Sequence, residues 1–215
     1  MEIDYVVRMR RFVVIGRDAV ASEDFLLDDL AASSGRLDVG LRCIRAALLV
    51  SHGVRRDAIV YLVLGGGPLA PRALRVRGAD ARFLRPDERS LAVLAKKVLA
   101  TRNDEPGGRF VDVRPGIALA RGGLRPVLAD LGSATLYVLE PHAPDIRAAT
   151  DLHHADAAFF LGDPGGFDDA TRAHLTAMGA RPLCVGPVGV HAEDAVAVVS
   201  NEIDRREVAP AASSR

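Results

Sequence analysis

The residues in this chain that could do chemistry fall in two glycine-rich loops and one arginine-rich stretch. Residues 183–185 (Leu-Cys-Val) read as a short buried strand, broken at Gly186-Pro187-Val188-Gly189-Val190, where two glycines and a proline cannot sustain a regular element. After His191 the period becomes helical: Val196, Val199 and Ile203 share a face, and Glu193 and Asp194 occupy the first turn, where the helix dipole favours carboxylates. Such a unit brings backbone N–H groups and bare main chain to one point, where open α/β sheets bind nucleotides and related cofactors. Packing alone also produces turns of this kind. A second unit, residues 157–161 followed by Gly162-Asp163-Pro164-Gly165-Gly166, lies about 25 residues upstream. Two glycine loops at the ends of two apolar strands are expected to line one crevice.

The arginines form the other signal. The chain has 215 residues and zero formal net charge, from 28 basic and 28 acidic side chains. Residues 1–100 carry a net +5 and residues 101–215 a net −5. Between 42 and 77 stand Arg42, Arg45, Arg55, Arg56, Arg72, Arg75 and Arg77 against one acid, Asp57. That stretch is either a phosphate-binding face or a solvated surface in a chain whose only lysines are Lys96 and Lys97. Cys43 and Cys184 lie far apart in apolar surroundings and read as two buried free thiols. His142, His153 and His154 lack a supporting cluster and read as surface residues, so no metal site is expected.

The elements that must position these loops alternate along the chain. Strands are expected at 12–15, 57–64, 74–77 (with one wet side) and 134–139, and helices at 37–51, 86–100, 124–131 and 168–178. Residues 17–34 read as a mobile loop with one helical turn near 25–30, and 101–110 as a linker or surface loop. Gly65-Gly66-Gly67-Pro68 reads as a tight turn, since no Gly-Lys-Ser/Thr follows. The alternation indicates an α/β protein with a largely parallel sheet. With apolar residues at 49% and aromatics at 5%, the core must be built from Val, Leu and Ala. No run of 18 apolar residues and no basic-then-apolar leader is present, so a cytoplasmic protein without a membrane span is expected. Residues 9–206 are expected to form a single domain, with 1–8 and 207–215 as flexible tails.

Several strings, taken in order, resemble one family: M-R-R-F at 9–12, S-x-D at 22–24, S-G-R-L-D at 34–38, S-H-G-V-R-R-D at 51–57, P-D-E-R at 86–89, L-G-D at 161–163 and G-P-V-G-V-H-A at 186–192. This set is similar to the archaeal TrmY-type tRNA pseudouridine N1-methyltransferases and their bacterial relatives, over nearly the whole chain. The resemblance implies a SPOUT-like parallel sheet with a C-terminal trefoil knot, working as a homodimer on RNA, specifically tRNA. It implies S-adenosylmethionine as cofactor, held by Leu139, Gly162, Val185, Gly186, Pro187, Val188, Gly189, Val190 and Ala195. The implied reaction is N1-methylation of a pseudouridine in the tRNA T-loop.

Methyl transfer from a sulfonium needs mainly alignment of the acceptor nitrogen, and the N1 proton needs somewhere to go. Asp38 is the candidate base or orienter, with Arg36 beside it. Arg36, Arg55 and Arg56 are the candidates for RNA phosphates. Arg36–Asp38 and Arg56–Asp57 can equally be structural pairs. Where the archaeal members read L-S-P-L-E-L-H-A-N-H-C, this chain reads V-G-P-V-G-V-H-A-E-D-A. The family's glutamate position is therefore Gly189, its cysteine Ala195, and its Asn-His pair Glu193-Asp194. His191 is retained, to cap the helix or line the pocket. Loss of the glutamate and cysteine leaves a second reading open, a non-catalytic RNA-binding scaffold, besides a methyltransferase with a different RNA target.

Overall fold

The computed structural model describes residues 9–102, 108–150, 152 and 156–208. In chain order the elements are β1 (Arg10–Val20), α1 (Leu30–Ser33), α2 (Leu37–Leu48), β2 (Leu49–Val50), β3 (Gly53–Val54), β4 (Ala58–Gly66), β5 (Arg72–Arg77) and α3 (Glu88–Leu99). They continue with β6 (Val111–Arg114), β7 (Ile117–Arg121), α4 (Leu124–Leu131), β8 (Thr135–Leu139), β9 (Ala157–Gly162), α5 (Asp169–Ala177), β10 (Arg181–Leu183) and α6 (Ala192–Val208). A 3-10 turn at Ile146–Ala148 interrupts the long connection from β8 to β9.

Eight strands form one sheet in the order β10-β8-β9-β1-β4-β5-β7-β6. The block from β10 to β4 is parallel throughout. Beyond β4 the sheet turns antiparallel. The expected parallel sheet is thus mixed, because the segments joining β4 to β5 and β6 to β7 are too short for a crossover.

Both faces of the parallel block are covered, which is why β1, β4 and β9 are almost unbroken apolar runs. Alternate residues feed two cores. Phe12, Val14, Leu62 and Phe159 meet α2, α3 and α6, while Val13, Ile15, Tyr61 and Phe160 meet Val127 and Leu131 of α4 and Leu175 of α5. Phe12, Phe159 and Tyr137 stack across three neighbouring strands, with centroids 5.6 and 5.3 Å apart. Helix α2 lies close on β4 because Gly40 faces Leu62, where a Cβ would come to 3.0 Å from its methyls.

Several expectations shift. The 17–34 loop is partly β1, which runs on to Val20, and Phe25 and Leu30 are buried rather than mobile. Helix α2 stops at Leu48 and gives way to a small antiparallel pair, β2 with β3. The strand expected at 183–185 is Arg181–Leu183, drawn back into register with Tyr137–Leu139. Arg72 extends β5 and is buried, donating to the carbonyls of Ala21, Leu99 and Thr101, so this strand has less of a wet side than its L-R-V-R pattern suggests. Cys43 is buried, but Cys184 is only half-buried. Half of the linker-like stretch, 103–107, lies outside the described residues, as do 1–8 and 209–215. Helix α6 continues to Val208, past the expected boundary at 206.

Arg10 fixes the far end of α6. Its guanidinium, 2% exposed, meets Asp57 at 2.5 Å and Asp204 at 2.7 Å, with Glu207 at 3.4 Å. Asp204 also accepts two bonds from Arg55, both 2.8 Å. Burial pushes the Asp204 carboxyl up, but the hydrogen bonds from Arg55 and Arg10 outweigh it and the net shift is downward. The Asp38 carboxyl, described below, is lowered in the same way by Arg36 and Arg42. A carboxyl that titrates lower when folded than unfolded stabilises fully above its unfolded value, about 3.9, and loses that contribution as pH falls through the folded value. Stability is therefore expected to be flat near neutrality and to fall below about pH 4. Circular dichroism across an acid series checks this, and Asp204→Asn should flatten the acid limb.

Candidate active site

Strands β8 and β9 end side by side, and their C-terminal ends open onto a cleft of about 970 Å³. Four segments border it: the end of β8 with Glu140 to His142, the loop after β9, the start of α2, and the N-terminal turn of α6. The two glycine loops expected to share a crevice both reach it.

The loop after β9 is shaped by its own aspartate. Asp163 accepts from the Gly165 N–H at 2.8 Å and from the Arg17 N–H at 3.0 Å, so one carboxylate folds the loop and pins it to β1. The Gly166 N–H returns to the Asp163 carbonyl at 2.8 Å. Gly162 is where the turn is tightest: a Cβ there would stand 2.8 Å from the main chain of Gly166. The second loop is held at its start. Cys184 donates to the Pro144 carbonyl and accepts from the Ile146 N–H, each at 2.8 Å. Beyond it residues 187–191 are exposed, and a Cβ on Gly186 or Gly189 would touch nothing within 4 Å.

Of the nine expected cofactor residues, Leu139, Gly162, Val190 and Ala195 line this cleft. Val185 packs against the core instead, and Val188 is 71% exposed. Gly189 faces open space, and Ala195 is buried at the cleft wall.

The start of α2 supplies an ionic network. Arg36 stands in the left-handed region (φ 69°) and its Nε donates to Asp38 Oδ1 at 3.1 Å. Arg42, one turn further along, donates through Nη1 to Asp38 Oδ2 at 2.8 Å and through Nε to Glu193 Oε1 at 2.7 Å. Arg36, Arg42 and Glu193 line the cleft, while the Asp38 side chain, 2% exposed, sits behind them. Burial raises the Asp38 carboxyl, but the hydrogen bonds and charges of Arg36 and Arg42 outweigh it and hold it below its ordinary value, which makes it an anchor for two guanidiniums. At the opposite wall Arg172 pairs with Glu140 and leans over the Phe167 ring.

Arg42 was visible in the sequence as an i,i+4 partner of Asp38, and Glu193 as an acid in the first turn of α6. Their joining could not be read, because 151 residues separate them. Glu140 and Arg172 carried no signal. His191 lines the cleft with an exposed side chain. His142 stands exposed at the cleft mouth, and His153 and His154 lie outside the described residues. Among the described residues no group of three His, Cys, Asp or Glu side chains could hold a metal ion.

Arg55 and Arg56 lie elsewhere. They precede β4, whose first residue pairs with Arg10, whereas the cleft begins where Ile15 pairs with Gly162. The distance along β1 from Arg10 to Ile15 is roughly 17 Å. Arg55 is engaged by Asp204 and Arg56 is exposed. The expected arginine face is dispersed, because Arg42, Arg55, Arg72, Arg75 and Arg77 each have a protein partner.

The cleft volume sits within the ~300–1,000 Å³ typical of small-molecule sites, and bare backbone with flanking carboxylates suits a polar nucleoside. Residues 9–208 match the model of a family described as "Putative SAM-dependent RNA methyltransferase". The chain belongs to this family. It is 38% identical to the tRNA (pseudouridine(54)-N(1))-methyltransferase of Methanosarcina acetivorans over 199 residues, covering 93% of this chain and 92% of that protein. The protein of the same name in Halobacterium salinarum is 37% identical, over 91% of this chain and 96% of the relative. The crystal structure of Archaeoglobus fulgidus Nep1 bound to S-adenosylhomocysteine superposes with a TM-score of 0.66 at 15% identity, covering 93% and 98% of the two chains. That likeness gives this SAM-dependent family member the fold of Nep1. Among the described residues no helix is long and apolar enough to cross a membrane.

Proposed function

We propose that the chain transfers a methyl group from S-adenosylmethionine to N1 of a pseudouridine in the tRNA T-loop, at position 54. Relatives of that name match it over nearly their full lengths. The observation that carries the reading is the meeting of both glycine loops with the Arg36–Asp38–Arg42–Glu193 network in one cleft. Leu139, Gly162, Val190 and Ala195 would hold the cofactor, which supplies a methyl already activated on a sulfonium. The open second loop, from Gly186 to Gly189, would close over it.

The protein's own work is alignment and charge. Arg36, fixed by Asp38 and half-exposed, offers a guanidinium to the RNA phosphate or to a base carbonyl. A cation at a carbonyl stabilises the negative charge left as the N1 proton departs to water, so no strong base is needed. Arg42 ties that arrangement to α6 through Glu193, the residue standing where the archaeal pattern has Asn.

A C-terminal knot fits the same reading. The 183–184 segment is clasped between β8 and the 140–146 connection, with Glu140 donating to the Leu183 carbonyl at 3.0 Å, before α6 returns to pack on α2. A homodimer in the cytoplasm is part of the proposal: Val188 and Val190, 71% and 47% exposed beside the cleft, offer a surface for a second copy.

The test is calorimetry with S-adenosylmethionine, followed by nucleoside mass spectrometry of tRNA carrying pseudouridine 54. Micromolar-range binding and an N1-methylpseudouridine product are expected. RNA binding without methyl transfer would favour the scaffold reading motivated by Gly189 and Ala195.

A further inference from the structure

We infer that Phe83 and the arginines around it form a second RNA-contact surface, remote from the cleft, on which an unpaired base of the substrate stacks. The inference rests on the RNA-methyltransferase reading and extends it to how much of the RNA is held.

Phe83 is 94% exposed, the most exposed large apolar side chain among the described residues. Its backbone sits at φ 61°, a region that a bulky side chain rarely occupies. The strained backbone carries a cost that the packing of the loop gives no reason to keep. The loop on either side is anchored: the Ala81 N–H donates to the Arg77 carbonyl at 2.9 Å, and Leu84 packs on the core. Only the ring is displayed.

Four exposed arginines lie on this loop or on segments packed against it. Arg82 and Arg85 flank Phe83 in sequence. Arg114 ends β6, two residues before the Gly116 that lies against Ala81, and Arg56 follows Arg55, whose carbonyl abuts Gly78. None of the four makes an ion pair among the described residues. Of the neighbouring acids, Asp80 pairs with Arg77 at 3.0 Å, while Asp87 caps α3 through the Ser90 N–H at 2.7 Å and is also stabilised through space by Arg85. An exposed aromatic ring among exposed guanidiniums suits a nucleotide, whose base stacks while its phosphates are neutralised. The loop lies at the end of the sheet where β4 begins, since the Gly78 N–H donates to the Ala58 carbonyl. The cleft lies at the opposite end. An RNA engaging both is larger than the reacting loop.

The experiment compares full-length tRNA with an isolated T-arm hairpin, both labelled, by fluorescence anisotropy. Phe83→Ala and Phe83→Gly are expected to weaken full-length tRNA roughly tenfold or more and to leave the hairpin within about twofold. Phe83→Gly relieves the positive φ, so it is expected to melt no lower than the parent while losing affinity. Arg82→Gln with Arg85→Gln should lower the salt slope by about two. Unchanged tRNA affinity in the Phe83 variants overturns the inference. So does a change in sedimenting mass without loss of affinity, which would make the patch a self-association surface. Loss of affinity in the variants with no methyl transfer by the parent protein upholds this surface and sinks the catalytic reading instead.

Discussion

Asp38→Ala is expected to lower stability by about 3 kcal/mol and methyl transfer by about 100-fold or more. The carboxylate is 2% exposed and holds Arg36 and Arg42 together. Breaking a buried pair costs about 3–5 kcal/mol when the remaining charge stays buried. Here the stranded arginines are 49% and 30% exposed and can turn to water, which places the loss at the low end. Catalysis falls along with stability because Arg36 sits at the N-terminus of α2 with no other side chain holding its guanidinium among the described contacts. Asp38→Asn keeps the shape but not the charge, and is expected to fall between the parent and the alanine variant. Urea unfolding measures the first effect and single-turnover methyl transfer the second. A parent-like rate in Asp38→Ala would remove the network from the mechanism.

Gly162→Val is expected to abolish measurable cofactor binding. Its Cβ would fall 2.8 Å from the main chain of Gly166, so the 163–166 turn must move rather than a flexible side chain. That turn is pinned on three sides, by the Asp163 carboxylate to Gly165 and Arg17 and by the Gly166 N–H to Asp163. Gly162 also closes the ladder between β9 and β1 opposite Ile15, so overpacking there costs about 1–3 kcal/mol of stability as well. Gly189→Ala is the control: its Cβ meets nothing within 4 Å, and binding should persist. Titration calorimetry on both variants, after melting curves show them folded, decides the matter. Tight binding by Gly162→Val would move the cofactor out of this cleft.

What was legible in the sequence was local. The apolar runs of β1, β4 and β9 announced strands buried on both faces. Asp87 and Asp168 announced helix starts, and the glycine loops announced a crevice at the strand ends. Each is written in a period or a turn residue that acts on its immediate neighbours. The resemblance to a methyltransferase family was also legible, because its motifs are strings.

The tertiary structure alone decided which charges meet. Arg10 and Arg55 look like surface cations, yet the fold brings Asp204, about 150 to 190 residues away in sequence, onto both. Arg42 reads as part of a basic face until α6 returns and sets Glu193 against it. Arg36 and Arg56, 20 positions apart in sequence, end at opposite ends of one sheet because α2 runs its length between them. The physical reason is range: periodicity and turn chemistry act over a few residues, whereas ion pairing and cleft formation act across whatever distances the chain's return paths close.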